Sequence, residues 1–418
     1  MRKFASIFLL ALGCMRLHAQ SNNSPYSILG IGDIDDNFYN RTSGLANTGI
    51  ALRSDRFLLN NNPASFSGLT NQVLFGEIGM KGAIVNYYGS GVNAAANQSS
   101  DITFKRLVIA TKLFKHLGTS VGLLPYSSQN YEFNSPLTIQ GTYNEQINEY
   151  YQGSGGINRA YLTNAYDFLN HVSVGVNVSY LFGSLQQKLV YQNLAGSELL
   201  SQNVTTGMTN IYVDYGLQLY TKIGSQWNLS VGGTFANKTN LNPNTNILIL
   251  ASDSTQLLNE GSLQPSLLTQ LPLTYGVGLA LTRNHKFTIL ADYKYQNWSS
   301  LHYSFFNYAL QDSRRYSVGF EYSRSKKSYN GFIETGYLQA GFYYNATYVN
   351  AYGQQITDIG GTLGIGINSK RTLLAYCISL QYGEKGKNST QLIQEKYINL
   401  NLAINFGEIL LSRGKRFF

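Results

Sequence analysis

Residues 171–182, HVSVGVNVSYLF, decide the fold class of this chain. Alternate positions from Val172 to Phe182 are apolar, and they fall on one side of an extended strand because successive side chains point to opposite faces. The other side carries Ser173, Gly175, Asn177 and Ser179, and Leu181 alone interrupts the pattern. A soluble sheet packs such an apolar face on a dry core, but a strand between lipid and a wet lumen alternates in the same way. The rest of the chain distinguishes the two cases.

The chain begins with the features of a secretory signal peptide. Arg2 and Lys3 precede an apolar run from Phe4 to Met15, and the small residue Ala19 follows. This run is too short for a membrane-spanning helix. We predict a signal peptide at residues 1–19 that is cleaved near Ala19.

Cysteine usage excludes two classes of site. Cys14 follows Gly13, but Ala11 stands where lipoprotein processing prefers a branched aliphatic residue, so cleavage near Ala19 is favoured over lipidation. The mature chain then contains one cysteine, Cys377, which excludes an internal disulfide framework and a cysteine-rich metal site.

The composition favours a membrane barrel. Charged residues make up 13% of the chain, about half of what a soluble globular domain carries. The 32 tyrosines suit the aromatic girdles of an outer-membrane barrel, and the 41 glycines suit its lumen and loops. No apolar run after the signal reaches the ~18 residues that a spanning helix needs. The net charge of +9 is scattered, which does not indicate a nucleic-acid surface.

Periodicity divides the mature chain into two parts. Residues 20–70 show no sustained period of 2 or 3.6 and combine polar with scattered apolar residues, which indicates a plug, or hatch, inside the barrel mouth. Residues 71–418 contain fourteen candidate strands. Short connectors lie near 116–118, 168–171, 224–226, 283–285 and 369–371, with a longer one at 324–335. Long polar connectors lie at 89–101, 134–147, 190–206, 238–268, 300–312, 348–355 and 385–392.

This alternation of short turns and long loops predicts an all-β, transmembrane antiparallel β-barrel of about fourteen strands. The turns would be periplasmic and the loops extracellular. The last candidate strand sets Ile398, Leu400, Leu402, Ile404 and Phe406 against polar neighbours. Pairing of this strand with the first would remove the open edges that lipid does not tolerate. We therefore expect the protein in the outer membrane, with the lipid bilayer as its solvent.

Several short motifs carry a family resemblance. They are Asn62-Pro63-Ala64, LLPYSS at 123–128, GSGGINRAYL at 153–162, LTYGVGLAL at 273–281 and ADYKYQNWSS at 291–300. Together they resemble the outer-membrane long-chain fatty-acid and hydrocarbon transporter family, particularly its divergent members in the Bacteroidetes. The resemblance implies a fourteen-stranded barrel plugged by an N-terminal hatch. It also implies uptake of hydrophobic molecules, which leave sideways through a wall gap made by an inward kink of the third strand.

A kink can be sought in the third candidate strand, which runs from about residue 119 to 133 and contains Pro125. Proline donates no ladder hydrogen bond and belongs at a bulge or an unpaired edge. The glycines of the next strand weaken regular pairing. We hypothesise that these two stretches frame a lateral exit, and the alternative is a bulge that only bends a tall barrel. The candidate exit residues are Gly122, Pro125, Tyr126, Ser127, Gly153, Gly155 and Gly156.

Asn62-Pro63-Ala64 corresponds to the hatch motif of the resembling family. Pro63 forces Asn62 into an extended conformation, and the asparagine side chain can then cap nearby backbone groups. We expect this motif to fix the plug, and direct contact with a ligand is the alternative.

Charged residues of both signs are predicted to face the lumen. The favoured interpretation is that paired charges brace the hatch against the wall. The alternative makes Arg159 or Lys294 the partner of a ligand carboxylate. Few inward apolar residues could line a path for a fatty chain, although hatch residues such as Ile28, Leu29 and Phe57 could contribute.

No pattern of an enzyme was found. His116, His171 and His285 lie at predicted turns without a serine nucleophile and orienting group beside them, and no histidine pair has metal-ligand spacing. We therefore predict neither catalytic residues, metal nor cofactor, and no nucleic-acid partner. The leading hypothesis is a channel for passive uptake of hydrophobic or amphipathic small molecules. The competing hypothesis is a structural or secretion-accessory barrel that binds partners, such as other outer-membrane proteins, through its long loops; lipopolysaccharide is a further candidate partner.

Overall fold

Strands with alternating apolar and polar side chains form one closed antiparallel sheet. Each barrel strand pairs with the next along the chain. The computed structural model describes residues 24–410, except 90–91, 93–96, 139–145, 170, 195, 261–267, 269, 302, 306–307, 329–330 and 370–371. The predicted signal peptide and its cleavage near Ala19 lie outside the described residues. The barrel strands are β1 (Val73–Tyr88), β2 (Gln98–Phe114), β3 (Leu117–Ser128), β4 (Gln146–Phe168), β5 (Val172–Gln192), β6 (Glu198–Ile223), β7 (Trp227–Ala236), β8 (Thr274–Arg283), β9 (Phe287–Gln296), β10 (Ser313–Ser328), β11 (Gly331–Ala351), β12 (Gln354–Asn368), β13 (Ala375–Lys385) and β14 (Gln394–Ile409). β3 has a separate continuation, Tyr131–Thr138.

The first and last strands close the barrel. β1 pairs with β14 from Val73 opposite Ile409 to Tyr88 opposite Gln394. This ladder satisfies backbone groups that would otherwise face lipid without partners. The predicted fourteen-stranded antiparallel barrel is therefore confirmed.

The alternation in residues 171–182 is the alternation between the outside and the inside of the barrel. Val174, Val176 and Tyr180 on β5 are 38%, 40% and 51% exposed, whereas Ser173 and Ser179 are fully buried. The apolar side of this strand thus faces outward, where a bilayer rather than a dry protein centre covers it.

The connections at one end of the barrel are short, and those at the other end vary in length. The long connector predicted at 348–355 is wrong, because β11 and β12 continue through it and are joined by Tyr352 and Gly353 alone. The short turns follow β2, β4, β6 and β8 and contain His116, Leu169, Gly224 and Asn284. At the other end the connection after β7 holds the strands Thr239–Asn240, Asn242–Ala251, Gln256–Glu260 and Gln270–Leu271. The connection after β9 holds Ser299–Leu301, Ser304–Phe305 and Tyr308–Leu310. Several strands run farther than predicted: β5 and β6 remain paired to Gln192 and Glu198, within the connector predicted at 190–206.

The N-terminal segment, residues 24–72, lies against the inner face of the barrel. It contains the 3₁₀ turns Pro25–Ile28, Arg41–Leu45 and Pro63–Gly68 and the short strand Asp33–Ile34. A side chain at Gly175 on β5 would overlap the backbone of Pro63 and Ala64, so the close approach requires glycine there.

Apolar side chains of the N-terminal segment fill the lumen in separate clusters. At the extracellular end Tyr26, Leu29 and Ile31 pack with wall and loop residues such as Trp298 and Tyr348. The rings of Trp298 and Tyr348 stack with centroids 4.4 Å apart. Farther toward the turns, Leu45, Leu52, Phe57 and Leu59 pack with Tyr337 and Cys377, and Leu58, Phe66 and Leu69 pack with Phe75 and Val108. No helix in the described residues is both long enough and apolar enough to cross a membrane.

Candidate functional site

The barrel ladder is interrupted between β2 and β3. β2 pairs with β1 from Gln98 onward, but it pairs with β3 only from Leu107 to Phe114. Among the described residues, the part of β2 from Gln98 to Arg106 therefore has no strand partner on its other side. We call this interruption the β2–β3 gap.

The gap arises because β3 turns away from β2. Beyond Leu123, β3 pairs with β4 on one side, and Ser127 and Ser128 pair with Ile34 and Asp33 of the N-terminal segment. The register against β4 shifts between Pro125 and Ser127, which leaves Tyr126 as the extra residue of a β-bulge. Pro125 has no N–H to offer to β2, which suits a place where the ladder ends.

The bulge is tied to the N-terminal segment. The carbonyl of Tyr126 accepts a hydrogen bond from the backbone N–H of Asp35 at 3.0 Å. The Tyr126 ring is buried and meets Tyr212 edge-on, with centroids 5.9 Å apart. The wall thus bends inward at this bulge and contacts the N-terminal segment inside the lumen.

The other candidate exit residues lie beside the gap. Gly122 pairs with Val108 on β2 just below it. Gly153 and Gly156 on β4 face Tyr131 and Ser128, and both keep partners on β5 as well. Gly155 has φ +112° and its carbonyl accepts the N–H of Gln129 at 2.9 Å. The interruption therefore lies on the β2 side of β3, whereas the sequence hypothesis placed weak pairing on the β4 side.

A cavity of about 250 Å³ lies behind the gap. Its lining includes Lys105 on β2 and Ser128 on β3, which stand on opposite sides of the gap, together with Asp35 of the N-terminal segment. Lys105 Nζ lies 3.4 Å from Asp35 Oδ2, and Lys385 Nζ lies 2.6 Å from Asp33 Oδ1. The cavity can therefore solvate a polar group, and its walls carry charges of both signs.

The Asn62-Pro63-Ala64 motif anchors the N-terminal segment to the wall. Asn62 is fully buried, and its Nδ2 donates to the carbonyls of Ile50 at 2.9 Å and Leu217 at 3.0 Å. Its Oδ1 accepts the N–H of Ala64 at 3.0 Å and so caps the 3₁₀ turn that begins at Pro63.

Lys294 and Arg159, the candidate ligand partners, face the N-terminal segment. Lys294 Nζ lies 2.6 Å from Asp36 Oδ1. Burial would raise the pKa of Asp36, but Lys294, Arg315 and Arg159 together hold it below its usual value. The Arg159 guanidinium lies over the Phe38 ring at 5.2 Å, and its buried Nε has no hydrogen-bond partner among the described residues. Lys294 is thus already paired with a carboxylate of the protein.

The sequence analysis expected paired charges to brace the N-terminal segment against the wall but did not identify the arginines that do so. Arg106 on β2 and Glu77 on β1 form a fully buried pair within the wall, with Nε and Oε1 2.9 Å apart. Arg106 also makes the contact to the N-terminal segment, since its Nη2 donates to the carbonyl of Leu58 at 2.7 Å. Arg41 Nη2 donates to Glu321 Oε1 at 2.6 Å, and Arg41 also reaches Glu334 at 2.9 Å. Charges at inward positions of β1 and β2 were the available signal, since such charges require partners.

The described residues include no group of three or more histidine, cysteine, aspartate or glutamate side chains arranged to hold a metal ion. The arrangement around the gap offers charge pairing and a polar cavity, which are the elements of a binding or passage site.

Comparisons with known proteins relate the chain to a family and to a fold. A family model described as BamG matches residues 1–415. The toluene transporter TodX of Pseudomonas putida has a similar structure, with 15% identity and a TM-score of 0.57 over 91% of this chain and 100% of that chain. The CymD monoaromatic hydrocarbon channel is similar at 13% identity and TM-score 0.56 over 90% and 98% of the two chains. A FadL homologue of Pseudomonas aeruginosa is similar at 11% identity and TM-score 0.53 over 89% and 98%. A search of curated proteins gives no match.

At these identities the similarity establishes the fold. The expected resemblance to hydrocarbon and fatty-acid transporters is therefore confirmed at the level of the barrel architecture.

Proposed function

We propose that this chain, which belongs to the BamG family, is an outer-membrane barrel through which hydrophobic or amphipathic small molecules pass passively; the barrel architecture and the β2–β3 gap support this proposal. In this proposal residues 24–72 act as a lumenal hatch, and the β2–β3 gap is the lateral exit toward the bilayer. Solved barrels of the same architecture are named as transporters or channels for toluene and other monoaromatic hydrocarbons.

The observation that carries the proposal is the gap with a cavity directly behind it. A closed barrel satisfies every strand edge, so an unpaired stretch of β2 within the wall needs a reason. Lys105 and Ser128 border both the gap and the cavity of about 250 Å³. A molecule in this cavity would have to cross only the gap to reach lipid.

The polarity of the cavity favours an amphipathic molecule over a plain hydrocarbon. Lys81, Lys105 and Asp35 contribute to its wall, and a purely apolar ligand would leave these charges without solvation. The apolar hatch residues Leu29, Ile31 and Leu58 are packed in the clusters described above and line no open path in this state. Transport of a longer chain would therefore require movement of the hatch.

Substitution of Pro125 tests the exit. Pro125→Val supplies a backbone N–H, which permits the β2–β3 ladder to extend beyond Leu107 and narrow the gap. We expect the initial uptake rate of a fluorescent carboxylate-bearing amphiphile into proteoliposomes to fall by about tenfold, ~1.4 kcal/mol. Pro136→Val is the matched control, because Pro136 lies in the continuation of the same strand, opposite Asn148 on β4. Equal uptake by wild type and Pro125→Val would contradict the lateral route.

The second candidate function is a barrel that binds protein partners and transports nothing. The filled lumen favours it, because apolar packing closes the extracellular end and Arg106 holds the hatch to the wall by donating to the carbonyls of Phe38 and Leu58. The two functions differ in one measurement: wild-type proteoliposomes take up the amphiphile faster than empty liposomes only if the barrel is a passage. Uptake equal to that of empty liposomes, together with a protein partner that co-purifies in defined stoichiometry, would favour the accessory function.

A further inference from the structure

A groove of about 460 Å³ crosses the outer surface of the barrel wall from β7 to β11. Its side chains are apolar or aromatic and point away from the lumen, toward the bilayer. They include Val231, Leu279, Ala291, Tyr316, Val318 and Phe342. The groove therefore lies outside the lumen and on a different part of the wall from the β2–β3 gap.

The groove is deep because a small residue stands at an outward position of β9. Ala291 is exposed, and the residues that pair with it, Leu279 on β8 and Val318 on β10, are both larger. Asp292 also lines the groove, but its carboxylate points inward and accepts the N–H of Gly49 at 2.6 Å. Only the backbone of Asp292 can line the outer surface, so the groove reaches down to the sheet itself.

A row of tyrosines borders the extracellular side of the groove. The ring centroids of Tyr293 and Tyr316 lie 4.9 Å apart, and those of Tyr316 and Tyr344 lie 6.5 Å apart. All three rings belong to the part of the strands near Ser313, where β10 begins at the extracellular end. Outward tyrosines in barrels mark the level of the lipid head groups. The groove therefore extends from that level into the acyl region of the outer leaflet.

Arg314 supplies a cation above this row. It follows the same outward face of β10 two residues beyond Tyr316, which places it roughly 7 Å nearer the extracellular side. Its side chain is exposed and forms no ion pair or hydrogen bond among the described residues. The nearby carboxylate of Asp312 is occupied, because it accepts the Tyr295 hydroxyl at 2.7 Å and the N–H of Ser299 at 3.0 Å. The Arg314 guanidinium is therefore available to donate two parallel hydrogen bonds to a phosphate.

The cation and the groove together select a particular kind of lipid. An interfacial arginine alone would reach toward any head group. A groove directly below it would in addition hold one acyl chain, so that head and chain are bound by the same site. The lipid of the outer leaflet of a bacterial outer membrane is lipopolysaccharide, which carries phosphate on a sugar head above several acyl chains.

We propose that the outer groove binds one molecule of lipopolysaccharide, with a phosphate held by Arg314 and an acyl chain lying against Ala291 and Val318. The lipid is a fixed neighbour of the wall and not a transported molecule. The proposal is therefore independent of whether the barrel is a passage, and the two can fail separately. A lipid bound across β8, β9 and β10 would stabilise the folded wall, because it binds that state alone.

Native mass spectrometry of the delipidated full chain tests the proposal, with lipid A, the membrane anchor of lipopolysaccharide, as the probe. The comparison lipids are lipid A without its phosphates and phosphatidylglycerol. We expect wild type to bind one lipid A saturably and at least about tenfold more tightly than either comparison lipid. Arg314→Gln should weaken lipid A binding about tenfold, since a charge-assisted contact is lost. Arg324→Gln is the matched control, because Arg324 is exposed on the same face of β10 at its other end.

A second variant tests the groove without changing the cation. Ala291→Trp fills the groove and should also weaken lipid A binding about tenfold. Its control is Ala340→Trp, because Ala340 pairs with the outward residues Phe320 and Leu363 but lies outside the groove lining. A gel shift like that of wild type verifies that each variant is folded. Wild-type affinity for lipid A in either Arg314→Gln or Ala291→Trp, equal binding of phosphatidylglycerol, or no saturable binding by wild type would each overturn the proposal.

Discussion

Single residues at the interface of wall and N-terminal segment set how firmly that segment is held. Arg106 on β2 is the clearest case, because it pairs with Glu77 on the neighbouring strand β1 and also donates to the carbonyls of Phe38 and Leu58 in the N-terminal segment. Neither charged side chain has any solvent exposure. Loss of one member of such a pair leaves an uncompensated charge in a place that water does not reach. The pair matters for stability because the loss of one partner is costly, and not because the attraction between the two charges contributes much net free energy.

We therefore expect Glu77→Ala to destabilise the protein by about 3–5 kcal/mol. The measurement is the temperature at which the compact band is lost in a gel-shift assay of the detergent-purified barrel. Lys396→Gln is the control, because Lys396 pairs with Glu384 at 3.2 Å on the surface, where both side chains are 37–38% exposed. That change should cost less than about 1 kcal/mol. A wild-type melting temperature for Glu77→Ala would contradict the assignment of this pair.

Among the elements, the long connection after β7 is built as a ribbon on top of β6. Asn242–Ala251 pairs with β6 from Thr209 to Leu200, whereas β6 pairs with β7 only from Asp214 onward. The ribbon therefore lies beyond the ladder that closes the barrel. A protein partner could contact this ribbon without disturbing the wall.

Replacement of Asn242–Glu260 by a short glycine-serine linker should leave the thermal gel shift of the barrel within about 1 kcal/mol of wild type, because no barrel ladder is lost. Uptake should also be unchanged if the lateral exit is the route. If the accessory function is correct, the co-purifying partner should be lost instead, which affinity purification would detect. A large fall in the temperature of the gel shift would show that the ribbon is needed for the stability of the closed barrel.

The strands and their connections also show which parts of the fold the sequence can predict. Strand alternation and connector length gave the number of strands and the position of the turns at His116, His171 and Gly224, because side-chain direction follows directly from the period of the strand. The β2–β3 gap could be guessed only from Pro125. In β2 the apolar alternation changes phase at Lys105–Arg106, between Phe104 and Leu107, where the ladder to β1 has a bulge. That break does not reveal that Gln98–Arg106 lacks a partner on its other side. Likewise, the pairing of Lys294 with Asp36 depends on the path of an irregular segment that has no period to follow.

For the whole molecule, the N-terminal segment occupies much of the lumen and packs against the inner wall. Barrels of sixteen to eighteen strands leave an aqueous channel, and eight-stranded ones are filled by their own side chains. A fourteen-stranded barrel lies nearer the first case. Its inner wall has glycine at positions such as Gly175 and Gly216, where the segment approaches closely, so the wall alone cannot fill the space.

Deletion of residues 24–69 should therefore convert a non-conducting barrel into an ion-conducting pore. Planar-bilayer recordings would detect stable conductance steps in the deletion protein and none in wild type. Retention of the gel shift would verify that the truncated barrel folds. Absence of conductance in a folded deletion protein would mean that the loops, not the segment, seal the barrel.

The pairing of β1 with β14 also has a consequence for biogenesis. The N-terminal segment is synthesised first, yet the seam that encloses it is completed by the strand synthesised last. Asn62 donates to carbonyls on two different wall strands, β6 and β7. The N-terminal segment therefore has to lie inside the sheet before β1 and β14 pair and close the barrel. The machinery that inserts this chain must therefore hold an open, curved sheet around the N-terminal segment until β1 pairs with β14.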